Sequence, residues 1–458
     1  MYKCNFQISK TLLLFMAMFS LGGCGGDTTA PNVGESNVRF TVLQSLYRPD
    51  AVADVAVSIY NTDNRTIKST VTTGADGVAD FGLQPGNQVS VTLAYVKQSG
   101  QNVVRTLLDI DSGDYTFYLD DSRMPCSNKN ITINLTNVNV TDVEVGKNVS
   151  VTFGNQFGDS LNTFTPGTGQ TFSKTRNFCL DTNNLDQTLV VFHTTSNENG
   201  FYTPDEFLTM TVDLTAAAPT INADFSALVN YTNISSLLST PASLKVELEF
   251  YTPDLHHFIN GYGTSGALVM GQDLSTLADR YIVEVSDQLV NTGDNMVTEY
   301  TRYGYDAFPG ADIAIDRFPG AISSVSYNEG SSVLSYQGTG AVNADYVEFV
   351  ISDYEYNGLI ATTWEKDSWT ITAPTSYTQL PLMELPPLAA NWFDYTNLFN
   401  WNLRRNIDYG VRLVDLDGVT DYNSAINTRM RVIDGARENS KVRWVENMMY
   451  ANDPAGGV

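Results

Sequence analysis

Along most of this chain apolar and polar side chains alternate, in short runs set apart by Gly, Asn, Asp and Pro. Val38-Arg39-Phe40-Thr41-Val42, Val55-Ala56-Val57-Ser58-Ile59-Tyr60, Val89-Ser90-Val91-Thr92-Leu93 and Tyr115-Thr116-Phe117-Tyr118-Leu119 come first. A period of two sends successive side chains to opposite faces of an extended backbone. Each run therefore predicts a strand with one face on a core and the other in water. Ile131-Thr132-Ile133-Asn134-Leu135, Val149-Ser150-Val151-Thr152-Phe153 and Leu208-Thr209-Met210-Thr211-Val212 repeat the pattern, as do Ser243 to Phe250, Tyr346 to Ile351 and Trp369 to Thr372. Few stretches hold a period of about 3.6 residues, so helices are expected to be short and few. The predicted class is mainly β, as tandem β-sandwich domains, because 458 residues exceed what one core organises. Breaks in the pattern set the expected units at 37–122, 123–217, 218–320 and 321–458, with Ala216-Ala217-Ala218-Pro219 as a linker.

The amino terminus follows a different rule. Lys3 and Lys10 precede the apolar run from Thr11 to Ser20. That run is about half the roughly 20 residues a membrane-spanning helix needs, so it reads as an export signal and not an anchor. It closes on Leu21-Gly22-Gly23-Cys24, which resembles the lipobox of bacterial lipoproteins. The resemblance implies a signal peptide over 1–23, a diacylglycerol on the Cys24 thiol, and acylation of the new amine. Several acyl chains hold a protein stably where one holds it only marginally. In that family an Asp after the cysteine retains the protein at the inner membrane. Gly25 stands there in this chain, which implies the outer membrane, with the body facing the periplasm or the outside. Residues 24–36 carry few apolar side chains and read as a flexible tether.

A second resemblance rests on Val71 to Gly86, where a Thr-rich strand is followed by an Asp76-Gly77 hairpin turn and a strand ending at Pro85-Gly86. This is similar to carboxypeptidase regulatory-like and bacterial immunoglobulin-like modules over 37–122, and implies a spacer or adhesive unit without catalytic residues. Residues 321–458 look like fibronectin-type or immunoglobulin-like units. Asp306-Ala307-Phe308-Pro309-Gly310 recurs as Asp316-Arg317-Phe318-Pro319-Gly320 and reads as paired turns.

Charge narrows the partners. The formal net charge is -25, and removal of the two leader lysines takes the mature chain to near -27. Such a surface excludes nucleic acid, which requires clustered Lys and Arg. It suits a body that the lipid alone holds at a membrane. From Trp401 onward basic and acidic residues balance, so the last segment is a different surface, suited to docking on acidic neighbours within the chain. Cys4 leaves with the signal and Cys24 is consumed by lipid, leaving Cys126 and Cys179. An even remainder in an exported chain predicts a disulfide, with two free thiols as the alternative.

Candidate chemistry is sparse. His193 ends an apolar strand, and the adjacent His256 and His257 point to opposite faces if extended, so a metal site needs ligands from elsewhere. Gly263-Thr264-Ser265-Gly266-Ala267 lacks the last glycine of a nucleophile elbow. Asp109 to Asp114 and Asp415 to Asp421 are oxygen-rich but do not match an EF-hand spacing, and read as solvated turns. Rings from Tyr346 to Trp369, above all Trp364 and Trp369, could stack on sugars, although most sandwich tryptophans are core. The expectation is an outer-membrane lipoprotein with a structural or binding role, without evident catalysis and without a cofactor. Its membrane contact is the lipid, and its partner is an envelope protein or glycan. The alternative is a glycan-binding protein or a glycan hydrolase whose carboxylates are hidden among many.

Overall fold

The computed structural model describes residues 35–44, 50–85, 88–97, 100–119, 126–137, 148–153, 162–164, 171–181, 185–198, 201–227, 229–230, 232–234, 244–252, 255–261, 268–270, 280–291, 295–305, 317–328, 330–357, 362–393, 405–419, 421–432 and 441–449. The first stretch forms β1 (Glu35–Leu43), β2 (Ala56–Tyr60), β3 (Ile67–Thr72), β4 (Val78–Pro85), β5 (Gln88–Val96), β6 (Asn102–Asp111) and β7 (Asp114–Tyr118). The middle stretch forms β8 (Cys126–Thr136), β9 (Asn148–Phe153), β10 (Asn162–Phe164), β11 (Thr171–Asp181), β12 (Thr188–Glu198), β13 (Phe201–Val212), β14 (Thr220–Asp224) and β15 (Val229–Asn230). Then follow β16 (Thr232–Ile234), β17 (Leu244–Thr252), β18 (Leu255–Gly261), β19 (Leu268–Met270), β20 (Arg280–Asn291) and β21 (Asn295–Tyr305). The last stretch holds β22 (Ala321–Asn328), β23 (Val333–Thr339), β24 (Tyr346–Asn357), β25 (Thr362–Ala373), β26 (Gln379–Pro381), β27 (Arg405–Leu416), helix α1 (Tyr422–Val432) and β28 (Lys441–Met449).

The protein is mainly β, in several sheets that pack as sandwiches. The middle stretch closes on itself. Its sheets β10-β9-β12-β13-β15 and β11-β8-β14 face each other across Ile131, Ile133, Leu135, Val149, Val151 and Phe192. Phe153 and Phe178 meet edge to face at 4.7 Å between ring centres, a geometry aromatic quadrupoles favour.

The other three expected units are joined. Twelve strands run β18-β17-β20-β21-β28-β27-β24-β25-β6-β5-β2-β3 in one sheet, so residues 37–122, 218–320 and 321–458 all contribute to it. Every neighbour pair in it is antiparallel except β25 and β6, where the carboxyl-terminal strands meet the first stretch side by side. At that end the sheet is covered on both faces. On one face β4-β1-β7 packs Phe40, Val42 and Phe117 against Val57, Ile59, Val91 and Leu93. On the other, β22-β23-β26 and residues 383–393 cover Ala56, Tyr60, Ala94 and Val104 together with Phe349, Trp369 and Val411.

The Asp76-Gly77 turn is present, but it does not close a hairpin. It carries the chain from β3 in the long sheet to β4 in the small one. Asp76 Oδ1 accepts the Val78 N–H at 3.1 Å. Gly77 has φ +72°, and a Cβ there would lie 2.5 Å from the Val42 carbonyl, so only glycine fits. Of the recurring Phe-Pro-Gly turns, residues 306–316 lie outside the described residues. In the second copy Phe318 is buried and its N–H donates to Glu299 Oε1 at 2.9 Å.

Candidate functional site

Cys24 lies outside the described residues. Cys126 opens β8 opposite Asp181, and Cys179 sits in β11 opposite Asn128. The two are thus diagonal neighbours on one face of the β8–β11 pair. No disulfide joins them in the structure. Diagonal positions are about 7–8 Å apart, whereas a disulfide spans a Cα separation of about 4.4–6.8 Å. His193 in β12 faces Phe207 and Ser150, and His256 and His257 occupy consecutive positions of β18. The Gly263 to Ala267 segment and Trp401 lie outside the described residues. Trp364 pairs with Glu355 in the β24–β25 ladder. Trp369 is fully buried, and its Nε1–H donates to Thr106 Oγ1 at 2.9 Å. A ring with no exposed face cannot stack on a sugar, so the Trp369 part of the glycan expectation is corrected: this side chain is core.

The oxygen-rich segments are engaged as turns and ties. Asp109 adopts φ +50° at a β-bulge opposite Ser90, and its carboxylate accepts from Asn64 Nδ2 at 2.8 Å and from the Tyr377 hydroxyl at 2.5 Å. Burial, then the bond to Asp109, pushes the Tyr377 phenol up to about 12. Asp415 holds the Arg443 guanidinium, and Asp421 caps α1 through Ser424. Among the described residues no three His, Cys, Asp or Glu side chains gather where a metal ion could sit.

Two buried acid clusters were not legible in advance. Arg412 lies between Glu348 (3.0 Å) and Glu446 (2.8 Å) and over the Trp444 ring, which stacks on Tyr300. Burial works against the Arg412 charge, but Glu446 and Glu348 outweigh it and hold the guanidinium protonated. Asp353 and Asp367 oppose each other across β24 and β25, and Asn102 donates to Asp367 at 2.5 Å. Opposed positions of this kind are about 5 Å apart at Cβ, near the carboxyl spacing of a retaining glycosidase. Both residues are 1% exposed, which leaves no surface for a substrate between them.

One exposed surface has an ordered chemistry. The outer positions of β11, β8 and β14 are Ser173, Thr175 and Asn177, then Asn128, Asn130, Thr132 and Asn134, then Thr220 and Asn222. Direct cross-strand bonds order them: Ser173 Oγ to Asn134 Oδ1 (2.6 Å), Thr132 to Thr175 hydroxyls (2.9 Å), Asn177 Nδ2 to Asn130 Oδ1 (3.1 Å), Asn134 Nδ2 to Asn222 Oδ1 (2.8 Å). Each amide keeps donors and acceptors beyond those bonds, so the middle of this sheet face presents fixed, neutral hydrogen-bonding groups, with the Asp224 carboxylate at the end of β14 as its charged border. Such a face can exchange hydrogen bonds with hydroxyl-bearing polymers without desolvating a charge. The two cysteines stand at its end.

No protein-family model matches this chain, and no curated protein matches it.

Proposed function

We propose that this protein is a lipid-anchored lipoprotein of the bacterial outer membrane, with a structural or binding role in the envelope. The observation that carries this reading is Leu21-Gly22-Gly23-Cys24 behind Lys3, Lys10 and an apolar run too short to span a bilayer. No helix among the described residues is long and apolar enough to cross a membrane. Between Cys24 and the first described strand at Glu35 the sequence carries few apolar side chains, as a tether does. In an exported chain Cys126 and Cys179 meet a thiol oxidant, to which they pass two protons and two electrons as the S–S bond forms. What supports that pairing is the even count of cysteines left after Cys4 and Cys24; the diagonal register of Cys126 and Cys179 would have to change for the bond to form. Mass spectrometry of the mature protein is expected to find Cys24 as the first residue, carrying acyl chains, and two hydrogens fewer than the dithiol. Cys24→Ser is expected to release the body from the membrane fraction. An unprocessed Met1, or a Cys24→Ser protein still in the membrane fraction, overturns the anchor; two reactive thiols in the denatured, unreduced chain overturn the bridge alone.

A second reading, binding of a neutral glycan, is favoured by the amide and hydroxyl face of β8, β11 and β14. Retention on insoluble uncharged polysaccharide, abolished by Thr132→Glu with Asn130→Asp, is the expected result. Retention equal to the double variant's rejects it.

A further inference from the structure

The outer face of β11, β8 and β14 repeats in two directions. Its rows across the strands are Thr171, Thr136 and Asp224; Ser173, Asn134 and Asn222; Thr175, Thr132 and Thr220; then Asn177 and Asn130. Strands lie about 4.8 Å apart and alternate residues about 6.7 Å apart along each strand, so similar groups recur at fixed steps both ways. Ser, Thr and Asn reach to similar heights, and two strand-to-strand turns of about 20–25° leave the face shallow. In a chain of net charge -25 the last three rows carry no charge. Lys174 and Arg176 take the alternate positions of β11, on its other side. Bonds fix the side chains before a ligand arrives. Ser173 Oγ donates to Asn134 Oδ1 (2.6 Å) and Asn134 Nδ2 to Asn222 Oδ1 (2.8 Å), one directed run across all three strands. Asn137 Nδ2 holds the border carboxylate of Asp224 at 2.7 Å. On the opposite side of β8, Lys129 donates to the carbonyls of Leu214, Thr215 (3.3 Å) and Ala216 (3.2 Å), pinning the segment that leads into β14.

Resting on the glycan reading above, we propose that the occupant of this face is a neutral polysaccharide packed in crystalline order, not a single dissolved chain. A shallow face touches only one side of a chain, and each exchanged hydrogen bond contributes little net. A dissolved chain must give up its torsional freedom to match groups that are already fixed, and that cost consumes the gain. Chains in a crystal have lost that freedom beforehand, and several of them meet the repeat at once. Uncharged hydroxyls also suit rows where no charge has to be stripped of water. These rows hold no aromatic ring, so recognition rests on matched hydrogen-bonding groups and not on stacking.

Depletion of the full mature chain, kept in detergent micelles, onto crystalline cellulose and crystalline chitin tests this, against the same polymers swollen to amorphous form and compared per unit of accessible surface. Binding to at least one crystalline polymer is expected to exceed that to its amorphous form by about ten-fold, and excess soluble oligosaccharide is expected not to displace it. Thr175→Val removes one exposed hydroxyl from the edge of a row and is expected to weaken crystalline binding several-fold. Ser326→Ala, whose hydroxyl bonds Ser335 on the exposed side of β22, is expected to leave it unchanged. Equal binding to both forms, or displacement by the oligosaccharide, overturns the crystalline preference and leaves the glycan reading standing. An unchanged Thr175→Val, or an equal loss in Ser326→Ala, overturns the assignment to this face. No retention on any of the four solids overturns both readings.

Discussion

At the residue scale the clearest case is a line of hydroxyls that runs from exposed Thr70 into the core. Thr70 meets Ser58 at 2.7 Å, Thr92 meets Thr106 at 2.7 Å, and the Tyr60 hydroxyl reaches Thr92 at 2.9 Å. Trp369 closes the line on Thr106. Ser58, Thr92 and Thr106 have no exposed surface, and burial pushes the Tyr60 phenol well above its usual value. Polar alternation announces a solvent face, and for these residues it misleads, because hydroxyls that satisfy one another are buried at little cost. Whether an alternating polar residue faces water depends on what a distant part of the chain lays over it. Thr106→Val keeps the shape but removes the acceptor of the Trp369 indole and one partner of Thr92. It is expected to destabilise by about 1–3 kcal/mol, read as a lowered urea midpoint with unchanged m-value. An unchanged midpoint would show that the line contributes nothing to stability. Burial pushes the Asp345 carboxyl up to about 6. The turn acids behave oppositely: bonds from their own turns hold Asp63 and Asp213 below the usual carboxylate range, and the Asn137 amide, with Ser226 of its own turn, does the same for Asp224. Whatever they contribute is lost only as pH falls below that range.

At the scale of elements, strand positions were legible and partners were not. The runs from Val38, Val55, Val89 and Ile131 all fall in strands, because a two-residue period has one geometric meaning. The same runs in β2 and β5 suggested one wet face each. In the structure β2 is buried along its whole length and β5 along all but its ends, with alternate residues entering different cores. Small residues mark the difference: Ala56, Ser58, Ser90 and Ala94 occupy the face on which the β22-β23-β26 layer or its neighbouring turns lie. The one α-helix among the described residues is 11 residues long and weakly patterned, and tertiary contacts through Tyr422 and Ile426 position it. Candidate sites followed the same division. The outer ladder of β8 and β11 can be read from Asn128-x-Asn130-x-Thr132-x-Asn134, but its alignment with Ser173 to Asn177 needs the register. Arg412 and Glu348 are 64 positions apart, and no local pattern couples them.

At the scale of the whole molecule, the parallel joint between β6 and β25 decides how the chain can be divided. The first stretch supplies a complete core between β4-β1-β7 and the long sheet, yet Ile426 of α1 belongs to that core. Its opposite face, with Ala56, Tyr60, Ala94, Val104 and Leu108, shares a core whose other buried members, among the described residues, all lie beyond 296. A fragment of residues 25–122 would expose that apolar face, and β6 would present a free edge to other copies. Among the described residues the middle stretch has a core drawn from its own side chains, from Ile131 to Phe225, while β13 also runs beside β18 of the long sheet. Expressed alone, residues 123–228 are expected to give dispersed amide NMR signals and a cooperative urea transition, whereas 25–122 aggregates or shows neither. Adding residues 296–458 to the first fragment in trans is expected to restore its dispersion, since they bring β25, the covering layer and Ile426. A well-folded 25–122 fragment would show instead that the small sandwich is independent and that the long sheet is assembled from finished parts. Because β25 and α1 lie more than 240 residues after β6, the first stretch to be made is completed by the last. Contacts so far apart in sequence close slowly, so the first stretch is expected to gain its full core late in folding.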